Sequence, residues 1–205
     1  KEQEKINKQN KVFFLKTHNA LCRINGNKFT NQSNTLAAIY IIRDPRNIIT
    51  SLSHHYQITI NEALNFMKDK NRGIVSKENN RYTGFQPLFS WDFHVKSWAE
   101  NILYPTHIIK YEDLISDTYL AFQKVINFIN KVTKDKNEFD EVKAKACVEN
   151  CDFTKLKNLE NQEGFEESIT KKNSKEKLTF FNLGKNNNFQ NILEKKILVE
   201  MNSYY

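Results

Sequence analysis

Arg43 and Ser51 stand eight residues apart in the stretch "YIIRDPRNIITSLSHHY", Tyr40 to Tyr56, and their types suit one task, the gripping of an anion. The apolar run before Arg43 reads as a strand, Asp44 as the cap of a following helix, and Pro45 as a residue of its first turn. In open parallel sheets ligands sit beyond the carboxyl ends of the strands. A helix N-terminus there offers N–H groups and partial positive charge, and a guanidinium adds a bidentate fork suited to phosphate. At about 1.5 Å rise per residue, the Ser51 hydroxyl and an arginine side chain can converge on one group. An Arg43–carboxylate pair beside an ordinary helical serine meets the same spacing, and spacing alone leaves both open. Lys16 and His18, in "VFFLKTH", share a face if the chain is extended there. A lysine and a histidine at a strand end can hold a phosphate and take a proton, although a lone histidine is more often structural.

The elements that must position these residues follow from periodicity. "KVFFLKTH" (Lys11 to His18) reads as a short buried strand and "TLAAIYII" (Thr35 to Ile42) as a second, apolar on both faces as in a parallel sheet covered by helices. "NIITSLSHHY" begins a helix, and "INEALNFMKDK" has helical spacing of Ala63, Leu64 and Met67. Residues 71 to 86 carry two glycines and no period, which predicts a loop. Pro87 to Leu103 reads as a helix rich in aromatics, in which Trp91, Phe93 and Trp98 are core candidates and His94 a structural hydrogen-bonding group or an acceptor contact. "THIIKYEDL" (Thr106 to Leu114) reads as a third strand. Ser116 and Asp117 can cap the next helix, whose apolar stripe is Leu120, Phe122, Val125, Ile126 and Ile129. "EFDEVKAKACVEN" is another helix, Asp152 a possible cap of one more, and "ILEKKILVEMN" a last helix after a polar loop. Strands alternating with helices predict an α/β class with a parallel β-sheet flanked by helices, in a single domain spanning 1–205.

Composition narrows the function. Of 205 residues 39% are hydrophobic, enough for a core, and three prolines and five glycines are too few for a disordered or fibrous chain. The longest apolar run, Leu36 to Ile42, cannot span a bilayer. The N-terminal "KEQEKINKQNK" lacks the apolar stretch of a secretory signal, and three cysteines read as reduced thiols, so a cytoplasmic protein is expected. The net charge of +7 fits an anionic ligand. Its lysines are scattered among asparagines, however, which favours compositional bias with one local anion site over a nucleic-acid face. His54, His55, His94, His107, Cys147 and Cys151 match no common ligand spacing, so no metal is expected.

Taken together, "VFFLKTH", "IYIIRDPRNIITSLSHHY", "SWDFHVKSW", "IIKYEDL", "CDFTKLKNLE" and "FFNLGKNNNFQN" resemble the cytosolic-type sulfotransferase family in order and approximate spacing, over nearly the whole chain. The resemblance implies a fold related to P-loop nucleotide kinases. It also implies transfer of a sulfuryl group from 3′-phosphoadenosine 5′-phosphosulfate (PAPS) to an acceptor hydroxyl or amine, with 3′-phosphoadenosine 5′-phosphate (PAP) as product. By the same resemblance His18 is the general base and Lys16 steadies the sulfuryl group or the donor phosphate near it. Arg43 and Ser51 grip the 3′-phosphate, Tyr111 contacts the adenine side, Phe153 packs on the adenine ring, and Gly184 belongs to the last nucleotide-binding loop. Cys151 and Phe181 complete the cofactor-binding set. The acceptor is a small molecule, lipid or sugar, and a homodimer is possible.

Four departures from the family pattern stand out. Cys151 replaces a threonine, Asn182 and Leu183 replace an Arg-Lys pair, which weakens donor binding or passes the cationic role to Lys185, and Phe189 replaces a tryptophan. No segment resembles the glycine-containing phosphosulfate-binding loop that opens the family's fold, and a chain lacking its N-terminal strand and loop is the expectation that follows. These departures motivate a rival reading, a degenerate and non-catalytic nucleotide-binding or interaction domain of the same fold. A third reading, nucleic-acid binding through the basic surface, carries a steep salt dependence and ranks last.

Overall fold

Side-chain exposure alternates along Ala38–Ile42: Ala38, Tyr40 and Ile42 are half-buried, Ile39 and Ile41 exposed. That is the period of a pleated strand, and this strand pairs in parallel with Thr106–Lys110. The computed structural model describes residues 2–8, 11–78, 81–136 and 138–205. Within it the elements begin with α1 (Glu2–Asn7), β1 (Arg23–Ile24), β2 (Asn27–Lys28), β3 (Ala38–Ile42), α2 (Pro45–Tyr56) and α3 (Ile60–Lys68). They continue with β4 (Gly73–Glu78), β5 (Arg81–Pro87), α4 (Trp91–Ala99), β6 (Thr106–Lys110), α5 (Tyr111–Ser116) and α6 (Thr118–Thr133). The chain then runs through α7 (Glu141–Asn150), α8 (Phe153–Glu163), a 3₁₀ turn at Gly184–Asn186, α9 (Phe189–Ile192) and α10 (Lys195–Tyr204). The parallel β3–β6 pair with its helices is the α/β class the alternation predicts.

The chain forms two compact units, one of Lys1–Ile42, Phe66–Ile109 and Lys124–Glu138, the other of Arg43–Asn65, Lys110–Gln123 and Phe139–Tyr205. In the first, Trp98 of α4 is the centre of packing. Its indole lies nearly parallel to the Tyr40 ring, centroids 6.0 Å apart, and meets Phe29 edge-on at 6.3 Å. Its N–H donates to the carbonyl of Asn19 at 3.0 Å. The opposite face of β3–β6 is not covered as the apolar run suggested: Ile39, Ile41 and Ile108 are exposed.

Two predicted elements differ. Residues 11–20 form no strand; they run as irregular chain, and Val12, Phe13, Phe14 and Leu15 are exposed. An isolated stretch of β-formers has no ladder to join unless a neighbour presents its backbone, and propensity cannot supply one. Residues 71–86, expected as loop, instead make the antiparallel β4–β5 hairpin, paired from Gly73↔Pro87 to Glu78↔Arg81. The register slips between Ile74↔Gln86 and Ser76↔Thr83, where Gly84 and Phe85 oppose the single residue Val75. Gly84 has φ +63°, the left-handed conformation of a glycine bulge. One extra residue breaks the period of two, which is why the sequence shows no alternation there. The strand predicted over 106–114 also ends early, at Lys110, and "YEDLIS" turns into α5.

In the second unit the caps read at Asp44, Asp117 and Asp152 are present, and Asp140 adds one that the sequence reading did not name. The Asp44 carboxylate accepts from the N–H of Arg46 at 2.9 Å with Pro45 at the first helical position, Asp140 caps α7, and Asp152 caps α8 through Thr154 N–H at 2.9 Å. Asp117 caps α6 through Leu120 N–H. In α6 Ala121 is buried and Leu120 exposed, one position off the expected stripe.

Replacing Trp98 by alanine is expected to lower unfolding stability by about 3–5 kcal/mol, the usual cost of emptying a large aromatic site. Trp98→Phe should cost about 1–2 kcal/mol, mostly through the unpaired Asn19 carbonyl. Urea denaturation of the two variants checks the order; equal costs would show that the lost indole N–H, and not the emptied ring volume, sets the loss.

Candidate functional site

His18 lies in the first unit, on the irregular segment, and its imidazole is exposed. The segment is fixed by its backbone. His18 N–H donates to Gln86 Oε1 at 3.3 Å, Ala20 N–H to the Pro87 carbonyl at 2.8 Å, and Leu21 N–H to Ser97 Oγ at 3.0 Å. Its carbonyls are held from α4: His94 Nε2 lies 3.1 Å from His18 O, and Trp98 Nε1 donates to Asn19 O. A carbonyl only accepts, so His94 carries its proton on Nε2. Its Nδ1 then accepts from the Tyr40 hydroxyl at 2.9 Å. Burial pushes His94 below the ordinary histidine value, with the nearby His18 charge acting the same way and the His18 hydrogen bond opposing. Burial also raises the Tyr40 hydroxyl to about 12. His94 is thus a neutral structural imidazole, the first of the two roles open to it in the sequence. Lys16 occupies the same exposed segment two residues before His18.

The remaining predicted residues belong to the second unit. Arg43 stands just beyond β3, with its guanidinium over the Tyr111 ring, 4.3 Å from the centroid. Its Nε is buried and has no hydrogen-bond partner, and among the described residues it forms no ion pair. The carboxylate nearest in sequence is engaged elsewhere. Asp44 holds the Arg46 N–H and its side chain, with Nη2 at 2.6 Å. Burial would raise the Asp44 carboxyl, but the Arg46 hydrogen bonds and charge outweigh it and hold the group below the ordinary aspartate value. Asp44 therefore takes one of the N–H groups expected for an anion at the α2 N-terminus. Its carbonyl takes those of Asn47 and Ile48.

Ser51 is exposed on α2 and its Oγ lies 3.0 Å from Asn187 Nδ2. Asn187, which the sequence did not single out, is buried and reaches α2 at three further points: Thr50 Oγ1 at 2.6 Å, Asn47 O at 3.0 Å, and indirectly through Phe189, whose N–H donates to Asn47 Oδ1 at 3.0 Å. The Arg46 guanidinium covers the Phe189 ring at 4.2 Å. The loop ahead of Asn187 rests on α8. A Cβ at Gly184, whose φ is +54°, would come 2.7 Å from the Phe153 ring, so only glycine lets that loop lie flat on the aromatic. Phe153 meets Phe181 edge-on at 6.1 Å. Cys151 is the exposed C-cap of α7.

Lys157 and Lys185 both stand near the loop. Lys157 of α8 donates to the Asn182 carbonyl at 3.1 Å and lies 6.0 Å over Phe153, whereas Lys185 acts on the Asp152 carboxylate, which the N–H groups of Thr154 and Lys155 chiefly hold low. The loop is also pinned by Glu160, a second residue sequence reading missed. Its buried carboxylate accepts from Phe180 N–H at 2.6 Å, Phe181 N–H at 2.9 Å and the Ser168 hydroxyl at 2.6 Å. Among the described residues no group of three or more His, Cys, Asp and Glu side chains is placed to hold a metal, and no helix is long and apolar enough to cross a membrane.

A parallel strand pair that ends at Arg43, for which no ion pair occurs among the described residues, followed by a helix bearing Ser51, is the arrangement of an α/β protein. The chain belongs to the sulfotransferase family, whose sulfotransferase-domain model matches residues 1–205. No curated protein matches it. Sulfuryl transfer is accordingly the general activity of its class.

Glu160 makes the loop acid-sensitive. Burial would raise its carboxyl, yet the hydrogen bonds of Ser168, Phe180 and Phe181 and the Lys157 charge prevail and hold it below its ordinary 4.5. A folded-state value below the unfolded one contributes stability above the unfolded value, lost as pH falls through the folded one. Amide exchange at Phe180 and Phe181 should therefore speed up relative to the amides of α8 below about pH 4.5. Glu160→Gln should show fast exchange at neutral pH with no further acid step, and an acid step retained in that variant would assign it elsewhere.

Proposed function

We propose that the protein is a PAPS-dependent sulfotransferase in which Arg43 and Ser51 bind the donor's 3′-phosphate and His18 deprotonates the acceptor. The observation that carries the reading is Arg43, a guanidinium backed by Tyr111 with a buried Nε that no protein group satisfies. A buried donor without a partner is costly, and a phosphate offers the charge and the lone pairs to satisfy it. This favours the anion site over the Arg43–carboxylate pair. Tyr111 and Phe153 supply aromatic surface for the nucleotide, Phe181 and Gly184 the loop beside it, and Cys151 the weakest member of the set.

Sulfuryl transfer is an in-line displacement in which positioning and charge neutralisation do most of the work. The bond from sulfur to the oxygen of the donor's 5′-phosphate breaks, and a bond from sulfur to the acceptor oxygen or nitrogen forms. The acceptor proton passes to His18, and PAP departs. Lys16 offsets the negative charge that develops on the bridging oxygen. His18 suits its part because its backbone is fixed at both N–H and carbonyl while its imidazole stays open to solvent. The acceptor is a hydroxyl or amine of a small molecule, lipid or sugar. A non-catalytic nucleotide-binding role is the rival, favoured by Asn182 and Leu183 in place of cations.

PAP is expected to raise the melting temperature while ADP, which lacks the 3′-phosphate, does not; equal shifts remove the 3′-phosphate reading. His18→Ala should keep PAP binding and lower turnover by at least about 10²-fold, the range of general-base contributions. Labelled-sulfate transfer to a panel of hydroxyl and amine acceptors measures it, and PAP binding without transfer to any acceptor favours the non-catalytic role.

A further inference from the structure

The orientation of the Asn187 amide is set by its neighbours. Asn47 O is a carbonyl and only accepts, so the atom 3.0 Å from it is the amide nitrogen. The amide oxygen then faces Thr50 Oγ1, which donates to it at 2.6 Å. The second amide N–H points at Ser51 Oγ, 3.0 Å away. Both amide protons are thereby committed, and Asn187, only 7% exposed, has none to offer a ligand.

The consequence falls on Ser51. Its oxygen accepts from Asn187, so its own proton must be donated elsewhere. The acceptor within its helix is Asn47 O at 3.5 Å, well beyond the 2.7–2.8 Å usual for a hydroxyl donor. The residue is exposed, and its proton is available to an incoming anion. Donation from the amide into Oγ also polarises the hydroxyl, and hydrogen bonds in such a chain strengthen one another.

We infer that Asn187 is a positioning residue that orients and polarises the Ser51 hydroxyl as a donor to the 3′-phosphate, and so makes recognition of that phosphate depend on the 182–189 loop being docked on α2. The docking is held by Phe189 N–H on Asn47 Oδ1 and by Arg46 over the Phe189 ring. The inference rests on the reading that Ser51 contacts the donor's 3′-phosphate, and it adds a specificity determinant outside the Arg43–Ser51 pair.

Calorimetric titration of the full chain with PAP and with adenosine 5′-phosphate, which lacks the 3′-phosphate, separates the two claims. The wild-type protein should prefer PAP. Ser51→Ala and Asn187→Ala should each lower the ratio of affinities about tenfold, and the double variant should fall no further than either single one, because one acts through the other. Asn187→Leu, branched alike but with neither amide protons nor a charge, should lower the ratio at least as much and decides the matter if the alanine variant does not fold. A purely structural role would weaken both nucleotides together and leave the ratio unchanged. An unchanged ratio in both Asn187 variants, or an equal loss with and without Ser51, overturns the inference while leaving the 3′-phosphate reading intact. A wild-type protein without preference for PAP removes that reading, and the inference with it.

Discussion

Asp44 has a single carboxylate, and where that charge goes governs much of the second unit. It closes the first turn of α2 through the Arg46 N–H and binds the Arg46 side chain at 2.6 Å. Arg46, so neutralised, lies over Phe189 and helps hold the distal loop. Arg43, one residue before Asp44, stands over the Tyr111 ring and forms no ion pair among the described residues, while its charge helps to hold the Asp44 carboxyl low. The hydrogen bonds of Asp44 thus set the start of α2.

That corner was legible because its determinants are local. Asp-Pro after an apolar run sets a strand end and a helix start within a few residues, and each responsible group is adjacent in sequence. The caps at Asp117 and Asp152 were readable for the same reason. What failed were statements needing a distant partner or an irregular one. The 11–18 segment has strand composition, yet its groups bond to side chains of α4 and to the end of β5, some 70 residues away. The β4–β5 hairpin was hidden because its bulge at Gly84 shifts the alternation midway. Lys110 ends its strand because α5 begins at Tyr111, a boundary on which hydropathy is silent.

The site was legible in its residue types and less so in its supports. Arg43, Ser51, Phe153 and Gly184 announce themselves through spacing and resemblance. Asn187 sits in a run of three asparagines that reads as polar loop, and only burial distinguishes it from Asn186 and Asn188. Glu160 lies in a helix of low hydrophobicity among other charged residues, where nothing marks it as the one that receives two backbone N–H groups. Lys157, 25 residues before Asn182, reaches the loop at the Asn182 carbonyl, a contact that spacing does not announce. Supports of this kind are tertiary facts and leave no periodic trace.

His94 and His18, both in the first unit, are treated in opposite ways. In His94 one nitrogen is occupied by a peptide oxygen and the other by a phenol, so its tautomer is fixed and its exchange with water is curtailed. In His18 the peptide groups are the tethered part and the ring is left outside. The fold thereby turns one histidine into scaffolding and leaves the ring of the other facing solvent.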